Sequence, residues 1–313
     1  MNSPPLFSVV MCTYQRFDQL SLAIDRVLEQ DIGADAYDIW VMDNSPASPE
    51  RAASKAKYAN TPNLHYIELD TPGAANARNE GIRLSQGNYI AFLDDDVLAS
   101  PGWLRHHRDA FASAPDNVAA IGGRIVAGFE VPRPVWLRDS MLLYLSVFDC
   151  DVAPPDYQPI SANVVFRRTA LRDHGFHTGL GRRGNESNNL LSGEETALTN
   201  YIHSQGGKFG YAPLAAVTHC ISAERLTRSW FRRRVSWQAI SDQLGQGLSA
   251  EGALQLWPYI IDYLKKVPRE HIACMGLLWD TDDSEIFHCQ LICIKFFTQI
   301  LISQGCYAPG MLG

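Results

Sequence analysis

Phe7-Ser-Val-Val-Met-Cys-Thr-Tyr-Gln-Arg-Phe-Asp-Gln-Leu-Ser-Leu-Ala-Ile-Asp-Arg-Val-Leu28 changes its hydrophobic period in mid-course. Its opening, residues 7–12, is a compact β-branched run, whereas Leu20, Ile24, Val27 and Leu28 recur at helical spacing behind Asp18, a candidate N-cap. Strand then helix is the reading, and the same alternation continues downstream. Residues 37–42, 64–68 and 88–93 read as further strands, each followed by polar or turn-forming residues. Between the last two, residues 73–87 fit a helix with glycine at both margins. Such alternation is the signature of a parallel sheet built from right-handed βαβ units. Residues 118–126, 160–166 and 215–219 are later strand candidates. The expected fold class is α/β, a mostly parallel central sheet flanked by helices.

The chain has 313 residues, which at ~150 per domain predicts about two units. Beyond about Arg225 the texture changes. Arg225, Arg228, Arg232, Arg233 and Arg234 crowd together among Trp230, Phe231 and Trp237, and helix-like segments follow. Residues 1–225 are therefore expected to form the sheet domain and 226–313 a helical C-terminal extension. The arginine cluster suits a diphosphate or an anionic membrane surface, and a solvated helix face is the plainer reading. Residues 280–285 form an acidic turn, followed by an apolar run over 286–302 that is interrupted by His288, Gln290, Lys295, Thr298 and Gln299. That run reads as a docking helix, too short and too polar to span a bilayer, with His288, Lys295 and Gln299 on one face.

Composition excludes several classes. The net charge is −7, with 46% hydrophobic and 19% charged residues, so wholesale disorder is ruled out and no global basic field is present for nucleic acid. Seven scattered cysteines imply reduced thiols rather than a disulfide frame, and Cys289 with Cys293 lacks the second pair that a zinc site needs. The first residues carry no basic region of a signal peptide, so a cytoplasmic protein is expected.

The sharpest chemical feature is Asp94-Asp95-Asp96, directly after an apolar strand. Three adjacent carboxylates repel one another, and a divalent cation is the economical way to offset them. On an extended chain Asp94 and Asp96 share a face, a D-x-D pair of hard oxygen ligands for Mg2+ or Mn2+, whereas Asp95 points away. An acidic turn capping the next helix is the alternative. Thr13-Tyr14-Gln15-Arg16 and Asp43-Asn44-Ser45 end the first two strands at the same edge, where open α/β sheets bind ligands. Gly73-Ala-Ala-Asn-Ala-Arg78-Asn79-Glu-Gly81 adds small residues and an arginine at a helix start, where free N–H groups favour phosphate oxygens.

Taken in order, these motifs resemble family 2 glycosyltransferases with the GT-A nucleotide-diphospho-sugar fold, from about Phe7 to about Trp230. The resemblance implies that Thr13, Tyr14, Arg16 and Asp43 hold the nucleotide base, that Arg78 approaches base or diphosphate, and that Asp94, Asp95 and Asp96 contact ribose and metal. Residues 161–171 resemble the family's strand lining the sugar and acceptor region, with Ala162 and Asn163 as candidate wall residues. Residues 179–193 are rich in Gly, Asn and Ser and fit a loop that closes over a bound donor.

Glu194 and Glu195 stand where the family usually has a Glu-Asp pair, whose acidic member deprotonates the acceptor hydroxyl. Glu195 is the favoured base and Glu194 the substitute, because Ser192-Gly-Glu-Glu195 is also a capping box that would occupy Glu195. His219 ends a strand-like run where related enzymes often place a histidine near the metal or diphosphate, and a neutral imidazole can join carboxylate oxygens there.

The expected function is inverting transfer of a sugar from a nucleotide-diphospho-sugar, most often UDP-linked in this family, to a glycan, lipid-linked, protein or small-molecule acceptor, with Mn2+ or Mg2+. Peripheral membrane contact and a homo-oligomer are compatible partners; nucleic acid is not. A sugar-phosphate nucleotidyltransferase is the first alternative, although no glycine follows the first strand to cradle a triphosphate. A sugar-nucleotide-binding protein without turnover is the second. A nicotinamide dehydrogenase is disfavoured, since no G-x-G-x-x-G follows that strand.

Overall fold

The period change in the opening stretch becomes a strand and a helix in the computed structural model, which describes residues 4–171, 174–182 and 190–306. Strand β1 (Phe7–Thr13) is buried along nearly its whole length, as a strand covered on both faces must be. Val9 and Met11 enter one apolar layer with Leu20 and Ile24 of α1 (Phe17–Leu28). Val10 enters the opposite layer with Ala75 and Ala77 of α3 (Ala74–Leu84). Helix α1 is capped at Arg16 without a side-chain bond, so Asp18 is not the cap; it sits in the first turn, where its charge favours the positive helix end.

The remaining elements of the sheet unit are β2 (Tyr37–Asp43), α2 (Pro49–Lys57), β3 (Leu64–Glu68), β4 (Tyr89–Asp94), β5 (Val97–Ala99), α4 (Trp103–Ser113), β6 (Val118–Phe129), β7 (Asn163–Arg167), α5 (Glu194–Ser204) and β8 (Lys208–Ile221). Among the described residues the eight strands run in the order β3-β2-β1-β4-β7-β6-β8-β5. The half β3-β2-β1-β4 is parallel, while β7 pairs antiparallel with β4 and β6, and β5 pairs antiparallel with β8. The sheet is thus mixed rather than mostly parallel. This is the α/β arrangement of the GT-A fold.

Two details of α3 matter for the edge. Gly73 caps it with φ +127, a left-handed conformation open to glycine. Gly81 faces β1 so closely that a Cβ would lie 2.4 Å from Val10 Cγ1. The helix ends at Leu84, short of the glycine expected at its C-terminal margin.

The chain divides into two compact units. One holds the described residues of Met1–Gly128, Ser146–Ser187 and Glu194–Cys220; the other holds those of Phe129–Leu145, Asn188–Gly193 and Ile221–Gly313. The second is helical: α6 (Arg228–Gln246), α7 (Ala250–Leu254), α8 (Trp257–Leu264) and α9 (Ser284–Ser303). Trp136 packs edge-on against Phe231 of α6 and Phe287 of α9 at centroid distances of 5.3 and 4.9 Å. At the centre, fully buried Gln290 donates to the carbonyls of Gly276 (2.7 Å) and Trp279 (2.9 Å) and accepts from Arg232 Nε (2.9 Å).

Here the acidic turn meets the arginines. Arg228 pairs with Asp282 and stacks over Trp136, and Arg232 Nη2 lies 2.7 Å from Asp280 Oδ1. Their side chains are only 21% and 14% exposed, so these two arginines are neither a solvated face nor an open anion patch. On α9, Lys295 pairs with Asp242 at 2.8 Å and Gln299 is buried. By length and composition α9 is long and apolar enough to cross a membrane, contrary to the sequence expectation. Helices buried in protein cores meet the same criterion, and α9 buries Phe287, Leu291, Cys293 and Ile300. Burial pushes the Cys293 thiol up to about 11, keeping it protonated, and all seven cysteines are free.

Candidate active site

Register brings the first three site segments level. Thr13 lies beside Asp43 across β1 and β2, and Cys12 lies beside Asp94 across β1 and β4. The turn after β1 is held open by an unusual backbone: Gln15 has φ +56, and its N–H donates to Ser45 Oγ at 2.8 Å. Tyr14 in this turn is half-buried.

Asp43 is fully buried and held from three sides. Its Oδ1 accepts the Ser45 N–H (2.8 Å), and its Oδ2 accepts the Tyr66 hydroxyl (2.8 Å) and lies 3.3 Å from Arg51 Nε. Burial, with the adjacent Asp43 charge, pushes the Tyr66 phenol up, so it keeps the proton it donates. Tyr66 and Arg51 escaped the sequence reading because nothing local marks them as partners of residue 43.

The aspartate triplet does not alternate as an extended strand would. Asp94 closes β4, and Asp95 and Asp96 form the turn into β5. Asp94 Oδ1 lies 3.1 Å from Arg78 Nη2. Buried Asp95 accepts the Thr13 hydroxyl at 2.8 Å and shares Arg16 with Asp96, at 3.3 and 2.9 Å. Burial pushes the Asp95 carboxyl up, against the pull of Arg16. Pairing of Val97 with His219 places the histidine against the triplet, with Nε2 3.3 Å from Asp96 Oδ1.

Arg78 joins this edge to the glutamates. It emerges from α3, and its Nη1 lies 2.9 Å from Glu194 Oε1 at the start of α5. Burial works against its charge, yet Asp94 and Glu194 more than compensate and raise its pKa. The second Glu194 oxygen, Oε2, is buried without a hydrogen-bond partner among the described residues. Gly181, with φ +86, packs against this carboxylate; a Cβ there would lie 3.0 Å from Glu194 Cδ. The neighbouring Glu195 Oε2 accepts the Ser161 N–H at 2.8 Å. Ser192 N–H donates instead to Ser241 Oγ, so the reciprocal capping box is not made. Burial, and then the charge of Glu194, push the Glu195 carboxyl up.

Ala162 and Asn163 lie in the core rather than on a wall. Ala162 is 1% exposed. Asn163 is fully buried, donates to the carbonyls of Arg124 (3.0 Å) and Ala215 (2.9 Å), and accepts from Trp103 Nε1 (2.8 Å), with His107 Nε2 at 3.3 Å. With every amide atom engaged, it ties β6, β7, β8 and α4 together. The helix start at Ala74 is occupied too, its N–H donating to the Arg182 carbonyl at 3.0 Å. Of the loop expected over 179–193, residues 183–189 lie outside the described residues.

Among the described residues, the triplet and the two glutamates thus set five carboxylates, Asp94, Asp95, Asp96, Glu194 and Glu195, around Arg16 and Arg78, with the Asp43–Arg51 pair alongside. Asp94 and Asp96 offer the hard oxygens that Mg2+ or Mn2+ prefers. No group of three or more His, Cys, Asp or Glu side chains is assembled for a metal among the described residues. The oxygen chemistry of the two side chains suits an ion of this kind, which ordinarily completes its shell with substrate phosphates and water, although here Asp94 is engaged by Arg78 and Asp96 by Arg16 and His219.

Residues 8–175 match the family model described as Glycosyl transferase family 2. The glucosyl-dolichyl phosphate glucuronosyltransferase of Haloferax volcanii is 26% identical over 251 residues, 76% of this chain and 76% of that protein. Among solved structures, the mannosyltransferase PcManGT from Pyrobaculum calidifontis, in complex with GDP-Man and Mn2+, superposes with a TM-score of 0.61 at 17% identity, covering 96% of this chain and 88% of that one. S. aureus TarS 1–349 in complex with UDP-GlcNAc superposes with a TM-score of 0.52 at 15% identity, covering 96% and 92%. At these identities the two structures speak for the fold.

Proposed function

The chain belongs to glycosyl transferase family 2, and on that premise we propose that it moves a sugar, with inversion, from a UDP-linked donor to an acceptor hydroxyl with the help of a divalent cation. The observation that carries this reading is the Asp94–Arg78–Glu194 chain, in which one buried guanidinium holds a carboxylate of the triplet on one side and the base pair on the other. A leaving diphosphate and an attacking hydroxyl need such groups within one sugar's length of each other.

In this mechanism Glu195 takes the hydroxyl proton as the acceptor oxygen attacks the anomeric carbon from the face opposite the diphosphate. The Ser161 N–H fixes one of its oxygens. Its raised proton affinity suits a base, because the hydroxyl becomes acidic only as attack proceeds. Glu194 serves as the anchor of Arg78 rather than as the base. Arg78 holds donor and base sides in register, which is a positioning contribution. Asp94 and Asp96 would hold the cation beside His219. Bound there, it would neutralise the charge of the departing nucleoside diphosphate.

Support for the cation comes from the Mn2+ complex of the Pyrobaculum mannosyltransferase. The name of the Haloferax relative, a glucosyl-dolichyl phosphate glucuronosyltransferase, favours a lipid-linked saccharide as acceptor. The test is a thermal-shift panel of UDP- and GDP-sugars with and without Mn2+, followed by transfer assays. A ligand bound only by the folded form raises the melting temperature. Loss of transfer in folded Asp96→Ala and Glu195→Gln variants is expected; wild-type rates in both would overturn the reading, and a shift with GDP-sugars alone would replace the base.

A further inference from the structure

Both oxygens of Asp96 already face nitrogen. Oδ1 lies 3.3 Å from His219 Nε2, and Oδ2 lies 2.9 Å from Arg16 Nη1. The two neighbours differ in freedom. His219 is 2% exposed within β8, whereas the Arg16 side chain is 40% exposed and rises from the turn between β1 and α1, one residue after the left-handed Gln15. An arginine that reaches partly into water can change partners without unfolding anything around it. When it does so, Asp95 is not abandoned, because the Thr13 hydroxyl remains on its Oδ2 at 2.8 Å.

Resting on the reading of Asp94 and Asp96 as cation ligands, we propose that Arg16 is a resident counter-cation: it competes with the divalent ion for Asp96, and it leaves that carboxylate for the diphosphate oxygens when a nucleotide binds. A guanidinium and a divalent ion at contact distance from the same carboxylate repel each other, so the ion alone meets an Asp96 already paired with a cation. A nucleoside diphosphate removes the obstacle by offering the planar guanidinium fork the paired oxygens it matches best. Cation and nucleotide then assist each other, and linkage requires the assistance to be mutual. The consequence is protective: without a donor, the free enzyme holds no cation poised over a vacant edge.

Calorimetric titration of Mn2+ tests this on the full chain, alone and with saturating UDP or GDP. Wild type should bind Mn2+ weakly alone and at least about tenfold more tightly with nucleotide, within the usual range of coupling between sites. Arg16→Gln, which retains a hydrogen-bond donor for Asp96 but no charge, should bind Mn2+ alone about tenfold more tightly than wild type and lose most of the nucleotide dependence. Arg16→Lys keeps the competing charge, so it should bind Mn2+ alone as weakly as wild type, but it lacks the fork for the diphosphate and should gain less from nucleotide. An Arg16→Gln protein that binds Mn2+ alone no better than wild type, while wild type still binds Mn2+ with nucleotide, overturns the inference and spares the cation reading. No Mn2+ binding by wild type under any of these conditions overturns both.

Discussion

The Arg78 guanidinium bridges Asp94 and Glu194, with Nη2 3.1 Å from one carboxylate and Nη1 2.9 Å from the other. The Arg78 and Glu194 side chains are both at most 10% exposed. Arg78→Ala would therefore leave Glu194 buried and unpaired, a loss of about 3–5 kcal/mol. Chemical denaturation measures it, and transfer activity should fall with it. Arg78→Lys presents one ammonium point where the two nitrogens of one guanidinium are needed, so it should recover part of the stability and little of the rate.

Glu195→Gln keeps an oxygen to accept the Ser161 N–H and should fold with wild-type stability. Removing a positioned base costs roughly 10²–10⁴ in rate, read as kcat under saturating donor. Equal loss of melting temperature and rate would point to a structural role instead.

Glu195 must be ionised to act, and burial together with Glu194 raises its pKa. The acid limb of the pH–rate profile should consequently lie above the ordinary glutamate range of about 4.3. Glu194→Gln removes a like charge and should move that limb to lower pH. A limb that stays in place would detach the two glutamates electrostatically.

Burial depresses the His107 imidazole to about 4, while in the unfolded chain it titrates near 6.5. The unfolded state therefore binds the extra proton between these values, and stability falls as pH drops from about 6.5 to about 4, by up to about 3 kcal/mol. Denaturation midpoints of wild type and His107→Gln across that window give the comparison: the variant should start less stable and lose less on acidification.

Gly81→Ala places a methyl 2.4 Å from Val10 Cγ1. Valine is stiff about its first side-chain torsion, so β1 must yield, at about 1–3 kcal/mol less any gain in helix propensity. Adding Val10→Ala should relieve the clash, so the double mutant should lose less than the two single losses combined. Thermal unfolding of all three variants closes the cycle.

What could be read from the sequence alone was whatever local order encodes. The strands of the parallel half, the helix between them and the polar residues ending β1, β2 and β4 follow from hydrophobic period and turn chemistry, both short-range properties of the chain. Family membership rested on the same ordered motifs. The extent of β8 and the short β5 were less legible, because antiparallel edge pairing depends on a partner far along the chain. Side-chain direction was decided only on folding. The turn at Asp95 cancels strand alternation, Asn163 turns inward to serve four backbone and ring partners, and the acidic turn 280–285 finds Arg228 and Arg232 rather than water. The pairing of Arg78 with Glu194 spans 116 residues, and no periodicity carries over such a distance; burial, which makes an unpaired charge costly, selects the partner.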